Sequence, residues 1–192
     1  MNLPEQKDAA RKAAFARRKL ADPTNAVKAN AHLVEAVRQI GGSVVSGFWP
    51  IRTEIDPRPA MEVISVDRHI CLPVVQGAGQ PLVFRNWQPR AAMEEGAFGA
   101  AIPKDETLCV PDILIVPLAA FDEKGYRLGY GGGFYDRTLE GLRANGRAMA
   151  IGFAYDVQLS TDPLPIEPTD QPLDAMVTES GIIWHQMPGP NS

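Results

Sequence analysis

Apolar positions along the chain fall into short runs separated by proline and glycine, and their spacing alternates between helical and extended periods. Residues 3–20 are rich in Ala, Lys and Arg, with Pro4 and Glu5 suited to a first turn, and they predict a helix to about Leu20. After a break at residues 21–24, Thr24 or Asn25 is placed to cap a second helix through residues 27–40, which Gly41 and Gly42 stop. Residues 43–49 predict a strand that ends at Pro50. The pattern then repeats, with a short helix near residues 59–68, a strand at 69–75 and an apolar stretch at 81–87 that pairs as a hairpin. Residues 94–106 form a Gly-rich connection to DILIVPLAAF, residues 112–121, whose two apolar faces predict a central parallel strand. A glycine loop, a helix over about Asp136–Asn145, a strand at 148–154, a Pro-rich segment and a last short strand at 175–180 follow. This order predicts an α/β fold, with one domain over residues 1–192 built on an open, mostly parallel or mixed sheet and helices on both faces.

Composition adds limits. With 45% hydrophobic and 22% charged residues in 192, the chain is long enough for one sizeable core. The net charge of −4 is unevenly placed. Lys7, Arg11, Lys12, Arg17, Arg18 and Lys19 crowd the first helix, whereas Asp156, Asp162, Glu167, Asp170, Asp174 and Glu179 follow the last basic residue, Arg147. A pI near 5.4 argues against a nucleic-acid partner. No apolar stretch approaches the roughly 18–20 residues that span a membrane, and the start lacks the apolar segment of a secretory signal. A cytoplasmic protein without membrane partners is expected, a monomer or alternatively a homodimer. Cys71 and Cys109 sit in strand-like apolar runs and read as structural. His32, His69 and His185 show no metal-ligand spacing.

The stretch richest in chemistry is residues 120–139, AFDEKGYRLGYGGGFYDRTL. Gly125, Gly129, Gly131, Gly132 and Gly133 lie between a buried strand and a helix, where backbone N–H groups and the helix dipole can cradle a phosphate. The spacing matches neither a Walker A loop nor a dinucleotide fingerprint, so a plain flexible turn stays open on the glycines alone. Arg127 brings a permanently charged planar fork. Asp136, in the first helical turn, suits a Mg²⁺ held by nucleotide oxygens, or simply compensates the dipole. Tyr130, Phe134 and Tyr135 offer flat surfaces for a heterocycle, or core packing. Lys7 and Arg11 share one helical face with Arg18; the stripe fits a polyphosphate, although a solvated basic face is the commoner reading of such a run.

The string GYRLGYGGGFYDR, with Lys7-x-x-x-Arg11, FWPIRTEID and the tail LPIEPTDQPLDAMVTESGI, resembles the 5-formyltetrahydrofolate cyclo-ligase family over essentially the whole chain. The resemblance implies an ATP- and Mg²⁺-dependent enzyme that converts 5-formyltetrahydrofolate to 5,10-methenyltetrahydrofolate, releasing ADP and phosphate. It implies ATP contacts at Lys7, Arg11, Arg127, Leu128, Gly129, Tyr130, Gly131, Gly132, Gly133, Phe134 and Tyr135. Folate contacts are implied at Trp49, Glu54, Tyr130, Gly131, Gly132, Gly133 and Phe134, magnesium ligands at Asp136 and Asp170, and catalytic roles at Arg127, Tyr135 and Asp136. Two positions depart from the family pattern: Ile102 stands where Glu is usual, and Phe134 stands where Tyr is common. The alternatives are an ATP-dependent kinase or ligase acting on another heterocycle, and a non-catalytic folate- or nucleotide-binding protein.

Overall fold

The computed structural model describes residues 1–146 and 148–186; of the expected 1–192 unit, residues 147 and 187–192 lie outside the described residues. The first helix, α1 (Leu3–Arg18), opens with a capping box that sequence reading missed: Asn2 accepts from the Glu5 N–H while Glu5 reaches back to the Asn2 N–H. α2 (Ala26–Gln39) buries Ala29, Leu33, Ala36 and Val37, an i, i+4, i+7, i+8 stripe. Neither expected residue caps α2 through its side chain. Asp22 instead accepts from the N–H and hydroxyl of Thr24, and it winds a 3₁₀ turn that leads into the helix.

The remaining elements are β1 (Val44–Ser46), α3 (Arg58–Ile64), β2 (His69–Val74), β3 (Val83–Trp87), β4 (Met93–Glu95), β5 (Ala101–Pro103), β6 (Leu108–Cys109), β7 (Ile113–Val116), β8 (Ala120–Phe121), β9 (Arg127–Leu128), α4 (Phe134–Ala144), β10 (Met149–Phe153), β11 (Ala175–Thr178) and β12 (Gly181–Trp184). Eight strands form one mixed sheet in the order β12-β11-β10-β7-β1-β2-β3-β6. From β11 to β2 all neighbours are parallel; β12 at one edge and β3 and β6 at the other run antiparallel. β7 is central and fully buried, as its two apolar faces predict. The expected strand at 112–121 breaks at Pro117, which has no N–H to continue the ladder. Beyond it the chain pairs β8 with β9 as a separate hairpin.

Alternate residues of the parallel strands supply two cores. Ile113, Ile115, Ile151 and Phe153 pack with α2 and α3 on one face, while Leu114, Val116 and Ala150 pack with Leu139 of α4 on the other. α1 lies against the β8–β9 hairpin through Ala14, Ala120 and Leu128. Both cysteines are free; Cys71 is buried in β2 and Cys109 half-buried in β6. No helix among the described residues is long and apolar enough to cross a membrane.

The parallel order reverses between β1 and β7, because β2 lies on one side of β1 while β7, β10 and β11 build outward on the other. At such a switch point the connections leave in opposite directions and open a crevice at the carboxyl ends of the strands. Phe48 and Trp49 after β1, Pro73 and Val75 at the end of β2 and Pro117 after β7 all face one cavity there.

Candidate functional site

That cavity measures about 550 Å³, within the usual range for small-molecule sites. Further segments close it, among them the turn at 51–54, residues 78–82, residues 97–102 after β4 and into β5, and the loop at 127–136. No histidine lines it.

The α1 stripe reaches one end. Lys7 and Arg18 are buried, so the solvated-face reading of these two residues is corrected; Ala14 between them lets the helix approach closely, and only Lys12 and Lys19 face solvent fully. Lys7 Nζ lies 2.6 Å from Glu167 Oε1 and 2.9 Å from Asp170 Oδ2. Burial pulls the Lys7 ammonium down, but these two carboxylates outweigh it and hold it above its ordinary value. Arg11 donates from Nε to the Gly129 carbonyl at 3.0 Å and pairs with Asp8 at 2.6 Å. Gly131, at φ 101°, lies so close that a Cβ there would sit 3.2 Å from Arg11 Cζ. Gly133, at φ 64°, begins α4 without a side-chain cap. The Arg127 side chain is only 4% exposed: its guanidinium donates to the Gln171 carbonyl and, at 2.8 Å, to Asp136 Oδ1. The same Oδ1 accepts from the Gln171 N–H at 2.9 Å. The Arg127 fork is therefore engaged within the protein rather than open.

The other end is less charged. Arg58 Cζ sits 4.6 Å from the Trp49 ring centroid and fixes that ring by a cation–π contact. Glu54 Oε2 accepts from the Ile51 N–H at 2.8 Å. Burial raises the Glu54 carboxyl above its ordinary value, against the opposing pull of that N–H, the Tyr130 hydroxyl, Arg18 and Arg52. Burial, and then Glu54, push the Tyr130 phenol up to about 12. The Tyr135 hydroxyl is buried with no hydrogen-bond partner among the described residues, and burial holds it protonated far above its ordinary value. Phe134 faces Phe98 at 6.1 Å between centroids.

Every sequence-predicted site residue lines this one cavity: Lys7, Arg11, Trp49, Glu54, the run from Arg127 to Asp136, and Asp170. Asp136 and Asp170 meet indirectly, since Asp136 holds the N–H of the residue after Asp170. Each is already paired with a cation, and among the described residues no three His, Cys, Asp or Glu side chains are grouped to hold a metal. As a donor set, two carboxylates lining one cavity nonetheless suit Mg²⁺, which takes one or two protein oxygens and completes its shell with other oxygen ligands. Two cavity-lining participants escaped sequence reading: Glu167 was one of many tail acids, and Phe98 sat in a stretch read only as a connection. An aromatic residue between Gly96 and Gly99 was the available signal for Phe98, which is 72% exposed at the cavity lip.

Comparison with known proteins matches this arrangement. The family model described as the 5-formyltetrahydrofolate cyclo-ligase family covers residues 5–179. The 5-formyltetrahydrofolate cyclo-ligase of Escherichia coli (strain K12) is 38% identical over 146 residues, 72% of this chain and 79% of that protein. The Haemophilus influenzae protein of the same name is 33% identical over 74% of this chain and 79% of its own length. Among solved structures, the Aquifex aeolicus 5,10-methenyltetrahydrofolate synthetase superposes with a TM-score of 0.75 at 25% identity, covering 97% of this chain and 96% of that one. With the glycine loop, the α1 stripe and the switch-point cavity falling inside the matched span, the chain belongs to the 5-formyltetrahydrofolate cyclo-ligase family.

Proposed function

We propose that this chain converts 5-formyltetrahydrofolate to 5,10-methenyltetrahydrofolate with ATP, releasing ADP and phosphate. The observation that carries the reading is one cavity with two chemically different ends that meet at Tyr130–Phe134. The N-formyl oxygen leaves poorly, so it must be activated before N10 can close the ring. In the proposed sequence the formyl oxygen attacks the γ-phosphorus and ADP departs; N10 then adds to the formyl carbon, N10 loses its proton, and phosphate leaves with the former formyl oxygen.

Positioning and charge are the protein's contribution to such a phosphoryl transfer. Lys7, Arg11 and the loop from Arg127 to Tyr135 lie along the phosphates, with Gly131 and Gly133 allowing close backbone approach. Asp136 and Asp170 would hold Mg²⁺, which when bound neutralises phosphate charge. Trp49 and Phe134 flank the pterin, and Glu54 accepts from its aminopyrimidine edge. Tyr135 lines the cavity, and its buried hydroxyl, without a partner among the described residues, would donate to the substrate at the reacting end. Acting on small charged molecules, such an enzyme belongs in the cytoplasm.

Purified protein mixed with 5-formyltetrahydrofolate, ATP and Mg²⁺ should develop the near-UV absorbance of the methenyl product. A flat trace from folded protein would overturn the proposal.

A further inference from the structure

One buried charge beside the cavity has no part in the reading above. Arg18, in the last turn of α1, is 2% exposed. Its Nε donates to Thr53 Oγ1 at 2.9 Å, while its buried Nη1 has no partner among the described residues. The guanidinium carbon lies 5.2 Å from the Phe15 ring centroid and 5.7 Å from that of Tyr130. Complementing the helix dipole does not explain this placement, because exposed Lys19 would do that without desolvation. Both contacts instead adjoin Glu54. Thr53 precedes it in the chain, and Tyr130, whose ring lies beside the Arg18 guanidinium, has its phenol pushed up by Glu54 and drawn down by Arg18.

We propose that Arg18 is a positioning residue for the folate end of the cavity. It clamps the 51–54 turn and the Tyr130 ring so that Glu54 faces the substrate as an ionised acceptor for the N–H donors of an aminopyrimidine edge. The inference rests on the functional reading above.

The charges around Glu54 support it. Glu54 is faced by Arg18 from α1, Arg52 within its own turn, Tyr130 from the glycine loop and Tyr135 from α4; Tyr155, after β10, faces Arg18 in turn. Arg52 is exposed and screened by solvent, so Arg18 is the desolvated cation of the set. Without it, burial acts on Glu54 with less opposition, and the carboxyl takes up a proton at higher pH. A neutral acid would point a hydroxyl at a donor edge. Binding that needs the carboxylate is lost as pH falls through the Glu54 pKa, so raising that pKa moves the acid limb upward.

The test uses the full chain carrying Arg18→Met, Arg18→Lys and Thr53→Val. Arg18→Met should raise KM for 5-formyltetrahydrofolate roughly tenfold or more, the scale of a charged hydrogen bond. It should also move the acid limb of kcat/KM up by about one pH unit. KM for ATP should stay near wild type, and Arg18→Lys, which keeps the charge, should return the limb toward its wild-type position. An unmoved limb, or equal losses for both substrates with a lowered melting temperature, would overturn the proposal. If Arg18→Met does not fold, Thr53→Val decides. It removes only the Nε acceptor, and a folate KM unchanged by it would overturn the clamp. A wild-type chain that forms no methenyl product would instead overturn the functional reading.

Discussion

At the glycine-loop end of the cavity each basic side chain already has partners: Lys7 has Glu167 and Asp170, Arg11 has Asp8 and the Gly129 carbonyl, and Arg127 has Asp136 and the Gln171 carbonyl. Beside the Trp49–Glu54 end, the Arg18 Nη1 is buried without one among the described residues. The first arrangement is a cradle that is stable before any ligand arrives. Its carboxylates keep the cations from repelling one another and hold them in place, and under the proposed function an incoming polyphosphate would exchange with those carboxylates or share them through a divalent cation. The second arrangement is incomplete by itself. Burial raises the Glu54 carboxyl there, so under the proposed function a ligand with matching donors would offset its desolvation and that end would be the selective one.

Substitutions at four positions test this contrast, taken from the largest expected effect downward. Arg127→Ala leaves the Asp136 carboxylate without its cation, and methenyl formation should fall by about 10²–10³. Arg127→Lys should recover little of it, because an ammonium cannot span Asp136 and the Gln171 carbonyl as a planar fork does. Near-wild-type kcat in both would break the idea that the paired end is needed as built. Glu54→Gln should raise KM for the folate by roughly 10- to 100-fold, with KM for ATP unchanged, since one charged acceptor is lost from one end only. Equal changes in both constants would merge the two ends into one.

Gly131→Ala should cost about 1–3 kcal/mol of stability from its left-handed backbone, read by denaturant unfolding. It should also raise KM for ATP, because the new methyl presses on Arg11. Smallest is Arg58→Gln, which removes a half-exposed cation–π contact worth about 0.5–1 kcal/mol and should change the folate KM less than about fivefold. A larger change would mean that the orientation of the Trp49 ring is itself selective.

Much of the architecture was legible because it depends on local periodicity. The doubly apolar ILIV run could only be a strand buried on both faces, and it is the centre of the sheet. The α2 stripe likewise named its own buried residues. Element ends were less legible. Pro117 cut the long expected strand, and Asp22, not Thr24 or Asn25, shaped the entry to α2. In both places a single hydrogen-bonding group decided the outcome, and periodicity does not report such groups.

For the site, sequence alone named the residues that line one cavity: the glycine string, Arg127, Asp136, Lys7 and Arg11 by residue type and spacing, and Glu54 by family resemblance. Tertiary structure alone decided their pairing. Lys7 and Asp170 are 163 residues apart, and nothing in either neighbourhood selects the other until α1 docks beside the chain that follows β10. The same packing took Arg18 out of the basic run and buried it behind Glu54, while leaving Lys12 and Lys19 in solvent. A charged residue reads alike in sequence whether it is hydrated or desolvated. Only the packing around it sets the local dielectric and the partner, and through them its charge state and role.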